Sequence, residues 1–219
     1  YMAATYVHIK KAISKSLFRK DLETNFWLVD GISLNSRKVK DGAAGWRTLD
    51  VVYNFKHGEG NSVFSRTVDA FWLRIRNAQA VRNRLTIVKR ELIEAIEGVS
   101  CRTNNNEPVK ILSLAAGAAQ GVIEVVDKFV HKGRNIQVVL VDRDSSALAH
   151  ANFLAKAHGI SSNVTTIQGD VGFFERYIDD FLPDIVEMCG LLDYLRASLA
   201  VKLIRKIYRT LPDKGVFLT

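Results

Sequence analysis

Small side chains and one carboxylate, placed after two predicted strands, are the residues of this chain best suited to chemistry. The apolar run from Ile111 to Leu114 leads into a stretch of alanines and glycines that ends at Gly121. Small side chains let backbone amides approach a ligand closely, and a following helix N-terminus favours negatively charged groups. The next predicted strand ends on Asp142, a residue type that hydrogen-bonds the ribose hydroxyls of a nucleotide cofactor. Together these features predict a site for a nucleotide-type cofactor.

The elements that must position this site alternate between strands and helices after the polar segment 103–108. In chain order the predicted elements cover 109–115, 121–132, 136–142, 145–158, 163–168, 172–180, 184–189, 195–211 and 215–219. This order predicts an α/β fold, a doubly wound Rossmann-like parallel sheet with helices on both faces and right-handed crossovers. Ligands of such sheets bind beyond the carboxyl ends of the strands, where the strand order reverses. The small-residue turn after the first strand is therefore expected at that point.

The first half of the chain has a different pattern. It predicts a helix near 3–20, turns at 30–31, 41–42 and 57–60, and a short strand over 49–53. Apolar residues from Phe71 to Ile96 recur at helical spacing, so a long helix is expected to stop at Gly98. We expect two regions: a mainly helical N-terminal extension over 1–107 that caps the pocket, and the cofactor-binding domain over 108–219.

Composition limits the class of protein. A chain of 219 residues that is 47% hydrophobic can bury one sizeable core. No apolar run approaches the roughly 20 residues that span a bilayer, and two cysteines are too few for a disulfide framework, so we expect a cytoplasmic protein without membrane contact. The net charge is +8, and the residues up to Glu107 include 18 basic and 11 acidic ones. This basic half makes nucleic acid a second candidate partner after a small molecule, but solvated helix faces are the favoured explanation, because no aromatic residues alternate with the cations.

From about Val109 onward the chain resembles the class I S-adenosylmethionine-dependent methyltransferases. The resemblance rests on five landmarks: 111–121, 138–148, Gln168-Gly169-Asp170-Val171, 184–192, and 203–218 with its LxPGG-like turn. It implies S-adenosylmethionine as cofactor and an unidentified, small-molecule methyl acceptor. The cofactor-binding residues that it implies are Ala115, Gly117, Gln120, Gly121, Asp142, Arg143, Asp170, Val171, Met188, Gly190 and Leu191. Among them, Asp142 is expected to accept from the ribose hydroxyls and Asp170 from the adenine amino group.

The chain departs from that family's pattern at the first landmark. The family usually has an acidic residue where Ser113 stands, and glycines where Ala115 and Ala119 stand. Because Ser113 carries no charge, another group must hold the cofactor's ammonium. The family also continues its sheet beyond the fifth strand, whereas this chain ends at Thr219. We therefore expect a sheet truncated after strand five, whose exposed edge offers a route to a dimer.

Two other functions fit parts of the pattern. The segment 117–122 is also similar to the glycine turn of short-chain dehydrogenases, which use a nicotinamide cofactor. Against that alternative, Tyr177, Tyr194 and Tyr208 lack the lysine four residues later that those enzymes need. A non-catalytic ligand-binding relative is the third possibility, since alanines replace glycines in the loop.

The candidate catalytic groups lie in two places: after the predicted fourth strand, and in a predicted turn of the first half of the chain. Asp193 is a candidate base or the N-cap of the helix predicted from residue 195, and Tyr194 could orient an acceptor or form a wall of the site. His57 could act as a base from its glycine-rich turn. The histidines show no metal-ligand spacing, so no metal is expected. Glu187 could face the pocket or pair with an arginine, and Arg84 could bind an acidic group, with a solvated helix face as its default.

Overall fold

A computed structural model describes residues 46–54, 76–102 and 107–219 of the chain. The predicted helix over 3–20, the three predicted turns, Phe71 and Ile75 lie outside these residues. The helices are α1 (Trp46–Tyr53), α2 (Arg76–Ser100), α3 (Gln120–Val130), α4 (Ser145–Ala157), α5 (Glu175–Ile178) and α6 (Ala197–Thr210). The strands are β1 (Val109–Leu114), β2 (Ile136–Asp142), β3 (Val164–Gln168), β4 (Ile185–Glu187) and β5 (Val216–Leu218). Short 3₁₀ turns cover Ser161–Asn163, Val171–Phe173 and Leu192–Tyr194.

The five strands form one parallel sheet in the order β3-β2-β1-β4-β5. The chain builds outward from β1 to β3, then returns to the other side of β1 with β4 and β5. The strand order thus reverses between β1 and β4, which confirms the predicted doubly wound α/β fold. A crevice forms where loops leave neighbouring strands in opposite directions.

Alternate residues of each central strand are buried against helices on opposite faces. On one face, Ile111 and Val138 pack in a cluster with side chains of α2, α3 and α4. On the other, Leu112 and Val139 pack in a cluster with α5, α6 and the turn that precedes α5. Burial on both faces explains why these strands are continuous apolar runs in the sequence.

Helix α2 contributes to the core of the sheet domain. Leu92 and Ile96 are fully buried there, and Ala95 and Val99 join them. The division of the chain at residue 107 stays a prediction, but α2 shares one hydrophobic core with β1, β2 and α3. Among the described helices, none is both long and apolar enough to cross a lipid bilayer.

Two predicted elements of the first half are corrected. The segment 49–53 is the end of helix α1, so the predicted strand is wrong. Trp46, Leu49 and Tyr53, at helical spacing, share a face that lines a cavity, and this packing outweighs the strand preference of the local sequence. The stop at Gly98 is also wrong, because α2 continues to Ser100. Burial of Val99 outweighs the cost of about 1 kcal/mol for a glycine inside a helix.

Two helices of the second half are shorter than expected. The predicted helix over 172–180 is a 3₁₀ turn followed by the four residues of α5. The last helix begins at Ala197 with Arg196 at its N-cap position and no side-chain cap. Asp193 therefore does not cap this helix, and the prediction that it is the N-cap is wrong.

The burial of α2 predicts a large effect of Leu92→Ala on stability. Deleting most of a fully buried leucine costs about 2–5 kcal/mol, because the lost burial adds to the cavity left behind. Urea unfolding should show this loss in the free energy of unfolding. Ile87→Ala is the matched control on the same helix, since Ile87 is 50% exposed; its effect should stay below about 1 kcal/mol. Equal effects of the two changes would contradict the shared core.

Candidate functional site

The loop between β1 and α3 keeps a left-handed backbone at three positions. Ala115, Gly117 and Ala119 have φ values of 53°, 54° and 50°. Glycine adopts this region freely, whereas an alanine there is strained. The two alanines therefore preserve a geometry that glycines would adopt at lower cost. The loop therefore stores some backbone strain at Ala115 and Ala119.

Asp142, at the tip of β2, is tied to this loop. Its Oδ2 accepts from the backbone N–H of Gly117 at 2.8 Å, and its Oδ1 accepts from the N–H of Asp144 at 2.8 Å. The carboxylate thus faces the loop, as the ribose hypothesis requires. A carboxylate offers about four lone-pair sites, so each oxygen can still accept from a ligand hydroxyl.

A cavity lies beyond the carboxyl ends of β1 and β4, at the reversal of strand order. It encloses about 700 Å³, part of which is continuous with bulk solvent. Its floor is the loop 115–121, its far wall is Glu187 with Cys189, and α1 and α2 cover it. The covering residues are Trp46, Leu49, Asp50, Tyr53, Arg84, Leu85 and Val88.

Helix α1 is fixed over the cavity by contacts with α3 and α4. The Trp46 indole Nε1 donates to the Ser146 hydroxyl at 3.0 Å, and the indole stacks on the His150 ring at 4.6 Å between centroids. Asn54 exchanges hydrogen bonds with the side chain of Gln120. These contacts hold Trp46 directly above the loop, with its Cβ 3.9 Å from the place of a Cβ on Gly117.

Helix α2 is fixed beside the cavity by contacts with α3. Lys89 forms an ion pair with Glu124, and the Leu85 Cδ1 approaches within 2.9 Å of the place of a Cβ on Gly121. Burial raises the pKa of Glu124, but hydrogen bonds from Lys89 and Gln120 outweigh it and hold that pKa below its ordinary value. This packing directs Arg84 toward the cavity.

Glu187, the last residue of β4, is a buried carboxyl group on the cavity wall. It is 7% exposed, its Oε2 accepts from the Ser113 hydroxyl at 2.5 Å, and its Oε1 accepts from the N–H of Cys189 at 3.0 Å. Burial raises the pKa of Glu187; the hydrogen bonds of Ser113 and Cys189 and the charge of Arg84 counteract it only in part. The same burial, with the neighbouring Glu187, raises the pKa of the Cys189 thiol to about 12, which makes it a poor nucleophile.

The structure brings part of the predicted cofactor set together. Ala115, Gly117, Gln120 and Gly121 line the cavity, and Asp142 contacts its loop. The others lie around the neighbouring strand ends: Arg143 is exposed after β2, Asp170 is exposed after β3, and Val171, Met188, Gly190 and Leu191 are buried or half-buried. Asp170 Oδ1 accepts from the Gly172 N–H at 2.7 Å. Their roles in binding stay predictions.

Two of the predicted catalytic residues, Asp193 and Tyr194, are not among the described residues that line this cavity. Asp193 and Tyr194 sit in the 3₁₀ turn after β4, and Tyr194 is 76% exposed, so it is not a partly buried wall. His57 lies outside the described residues. Their catalytic roles stay predictions. In the described part of the chain, no group of histidine, cysteine and acidic side chains is arranged to hold a metal ion.

Sequence analysis left Glu187 and Arg84 among open alternatives and missed Trp46, Leu49 and Tyr53. The default of a solvated face is wrong for Arg84, which lines the cavity, and for Lys89, which pairs with α3. The signal for Glu187 was available: an acidic side chain ends a buried strand next to the small-residue loop. The residues of α1 carried no comparable signal, because their role depends on tertiary packing.

Comparison with known proteins identifies the family. A family model described as "Putative methyltransferase" matches residues 2–198. The chain belongs to that family, and its fold and landmarks are those of class I S-adenosylmethionine-dependent methyltransferases. No curated protein matches it.

A solved structure of low sequence identity shares the fold. A protein of Bordetella parapertussis, described as a possible exported protein, is 18% identical with a TM-score of 0.63, over 95% of this chain and 66% of its own. A methyltransferase from Geobacter sulfurreducens in complex with S-adenosyl-L-homocysteine is 18% identical with a TM-score of 0.43, over 59% of this chain and 45% of its own. This chain therefore spans between about half and two thirds of their lengths.

Ala115→Gly is expected to stabilise the protein. An L-residue in the left-handed region costs about 1–2 kcal/mol, and glycine's extra freedom in the unfolded chain offsets about 0.4–1 kcal/mol of the relief. The free energy of unfolding in urea should rise by about 0.5–1 kcal/mol. Ala118→Gly is the matched control in the same loop, at a residue without positive φ, and should destabilise. A loss of stability with Ala115→Gly as large as that of the control would refute the strain.

The two cysteines should differ in reactivity. Cys101 is exposed, whereas the pKa of Cys189 is about 12, so about one in ten thousand Cys189 thiols is ionised at pH 8. Iodoacetamide at pH 8 should alkylate Cys101 much faster, as peptide mass spectrometry can follow. The single-cysteine variants Cys101→Ser and Cys189→Ser allow each rate to be measured alone. Similar rates would show that the Cys189 thiol is not suppressed.

Proposed function

We propose that this chain binds S-adenosylmethionine in the cavity beyond β1 and β4 and transfers its methyl group to a small molecule. One observation carries the proposal: Asp142, at the tip of β2, is hydrogen-bonded to Gly117 of the left-handed loop that lines the cavity. This arrangement places a ribose acceptor and a small-residue floor side by side at the reversal of strand order.

The residues of the cavity fit the cofactor's chemical groups. Asp142 retains lone pairs for two ribose hydroxyls. The loop 115–119 carries no side chain larger than a methyl group. Apolar side chains of Leu49, Leu85 and Val88 supply desolvated walls. Asp170 and Val171, at the exit of β3, are the proposed contacts for the adenine. The fit to a nicotinamide cofactor has no further support from the structure or the relatives.

The protein's contribution to the reaction is chiefly positioning. The bound cofactor supplies a methyl group on a positively charged sulfur, which needs an acceptor lone pair held in line with the breaking bond. Residues of helices α1 and α2 border the cavity and narrow the approach to it. Asp193 and Tyr194 are our candidates for contacting the acceptor, because they follow β4 at the same edge of the sheet. A base is needed when the acceptor must lose a proton.

The contacts of basic side chains on α2 favour a small acceptor over nucleic acid. Lys89 is paired with Glu124, Arg90 is hydrogen-bonded to Glu91, and Arg84 faces the cavity. Lys89 and Arg84 are therefore engaged within the protein and are not aligned on an open surface for a phosphate backbone, whereas Arg90 is exposed. Dimerisation through β5, at one edge of the described sheet, and a cytoplasmic location stay predictions.

Titration calorimetry tests the cofactor. The wild-type chain should bind S-adenosylhomocysteine, and Asp142→Ala should weaken this binding at least tenfold, since it removes the ribose acceptor and releases Gly117. Thermal unfolding of the variant separates a local effect from loss of the fold. Glu97→Gln, an exposed acidic residue on α2, is the control and should bind as the wild type does. Binding of NADP in place of S-adenosylhomocysteine would overturn the proposal, as would unchanged affinity in Asp142→Ala.

A further inference from the structure

Two oppositely charged side chains meet the cavity from different elements. Glu187 ends β4 and is buried, and Arg84 comes from α2 and is half-buried. The Arg84 Nη1 is 3.0 Å from the place of a Cβ on Gly190, so the guanidinium covers the loop that leaves β4. A carboxylate buried on a cavity wall requires a compensating partner of opposite charge or a proton.

The surroundings of Glu187 provide that compensation incompletely. Its oxygens accept hydrogen bonds from the Ser113 hydroxyl and from the backbone and side chain of Cys189. A carboxylate has about four lone-pair sites, so it can still accept from a ligand. The charge of Arg84 favours the ionised form, but burial predominates. A cationic donor that enters the cavity would therefore gain a strong, charge-assisted hydrogen bond in a desolvated place.

The register between β1 and β4 determines which side chain orients the Glu187 carboxylate. Ser113 of β1 and Glu187 of β4 are direct partners in the parallel pairing. The two side chains therefore occupy adjacent places at the same edge of the sheet, and the hydroxyl of Ser113 orients the carboxyl group of its neighbour.

We propose that Glu187 and Arg84 form a clamp for the amino-acid end of the cofactor, with Glu187 binding the ammonium group and Arg84 the carboxylate. The inference rests on the proposed function. In this clamp the carboxylate comes from the fourth strand and is oriented by Ser113. The cation comes from α2, which lies outside the five sequence segments that resemble the family. The clamp makes the amino-acid group a main determinant of affinity and specificity.

Calorimetry with two ligands isolates the clamp. S-adenosylhomocysteine carries the amino-acid group, whereas 5′-methylthioadenosine lacks it. Glu187→Gln, which keeps the shape but not the charge, should weaken binding of S-adenosylhomocysteine about 10- to 100-fold, the range for hydrogen bonds to charged groups. Binding of 5′-methylthioadenosine should change by less than about threefold. Equal losses for both ligands would overturn the clamp.

Arg84→Met should weaken S-adenosylhomocysteine binding about tenfold and leave 5′-methylthioadenosine unaffected. Arg90→Met is the matched control, because it removes the same charge from an exposed position of the same helix. Equal effects of the two variants on S-adenosylhomocysteine would contradict a specific role for Arg84 and indicate a general electrostatic effect.

A charge exchange between the paired strand positions tests the register argument. Ser113→Asp combined with Glu187→Ser should recover at least tenfold of the affinity lost in Glu187→Ser alone. Thermal unfolding of each variant identifies a folding defect. If Glu187→Gln folds and binds S-adenosylhomocysteine as the wild type does, the clamp is wrong. If the wild type binds neither ligand, the proposed function fails first.

Discussion

The hydrogen bond between the Asp142 carboxylate and the Gly117 amide is the constraint on which the site depends. It joins the tip of β2 to the loop that leaves β1, and the parallel pairing of those strands places the two groups side by side. Without it, the left-handed loop and the carboxylate would be two separate features of a common fold. With it, the carboxylate at the tip of β2 is held against the small-residue loop that lines the cavity.

The strands of the sheet were predictable because each is marked by a local pattern in the sequence. Strands β1 and β2 are buried on both faces, so they are unbroken apolar runs, and each ends where small or acidic residues begin. Helix α1 was mistaken for a strand because its helical character comes from packing over the cavity. The continuation of α2 past Gly98 has a similar cause, because it depends on the burial of Val99 and local helix propensity does not predict that burial.

The site was predictable only in part, for a related reason. The loop and Asp142 are neighbours of strand ends, which the chain order already implies. The opposition of Ser113 and Glu187 depends on the register between β1 and β4, and these strands are far apart in sequence. The direction of Arg84 depends on the rotation of α2 about its axis, which the burial of Leu92 and the contacts with α3 determine.

The site combines strain with burial. Two alanines hold a left-handed backbone, and one carboxyl group is buried on the cavity wall. Both features cost stability and are retained at the place where the fold binds ligands. The most direct measurement is a crystal structure of this chain with S-adenosylhomocysteine. The account predicts both ribose hydroxyls within hydrogen-bond distance of the Asp142 carboxylate, with the loop 115–119 against the ligand. A ligand bound elsewhere, or a ribose held by other residues while Asp142 contacts only Gly117 and Asp144, would contradict it.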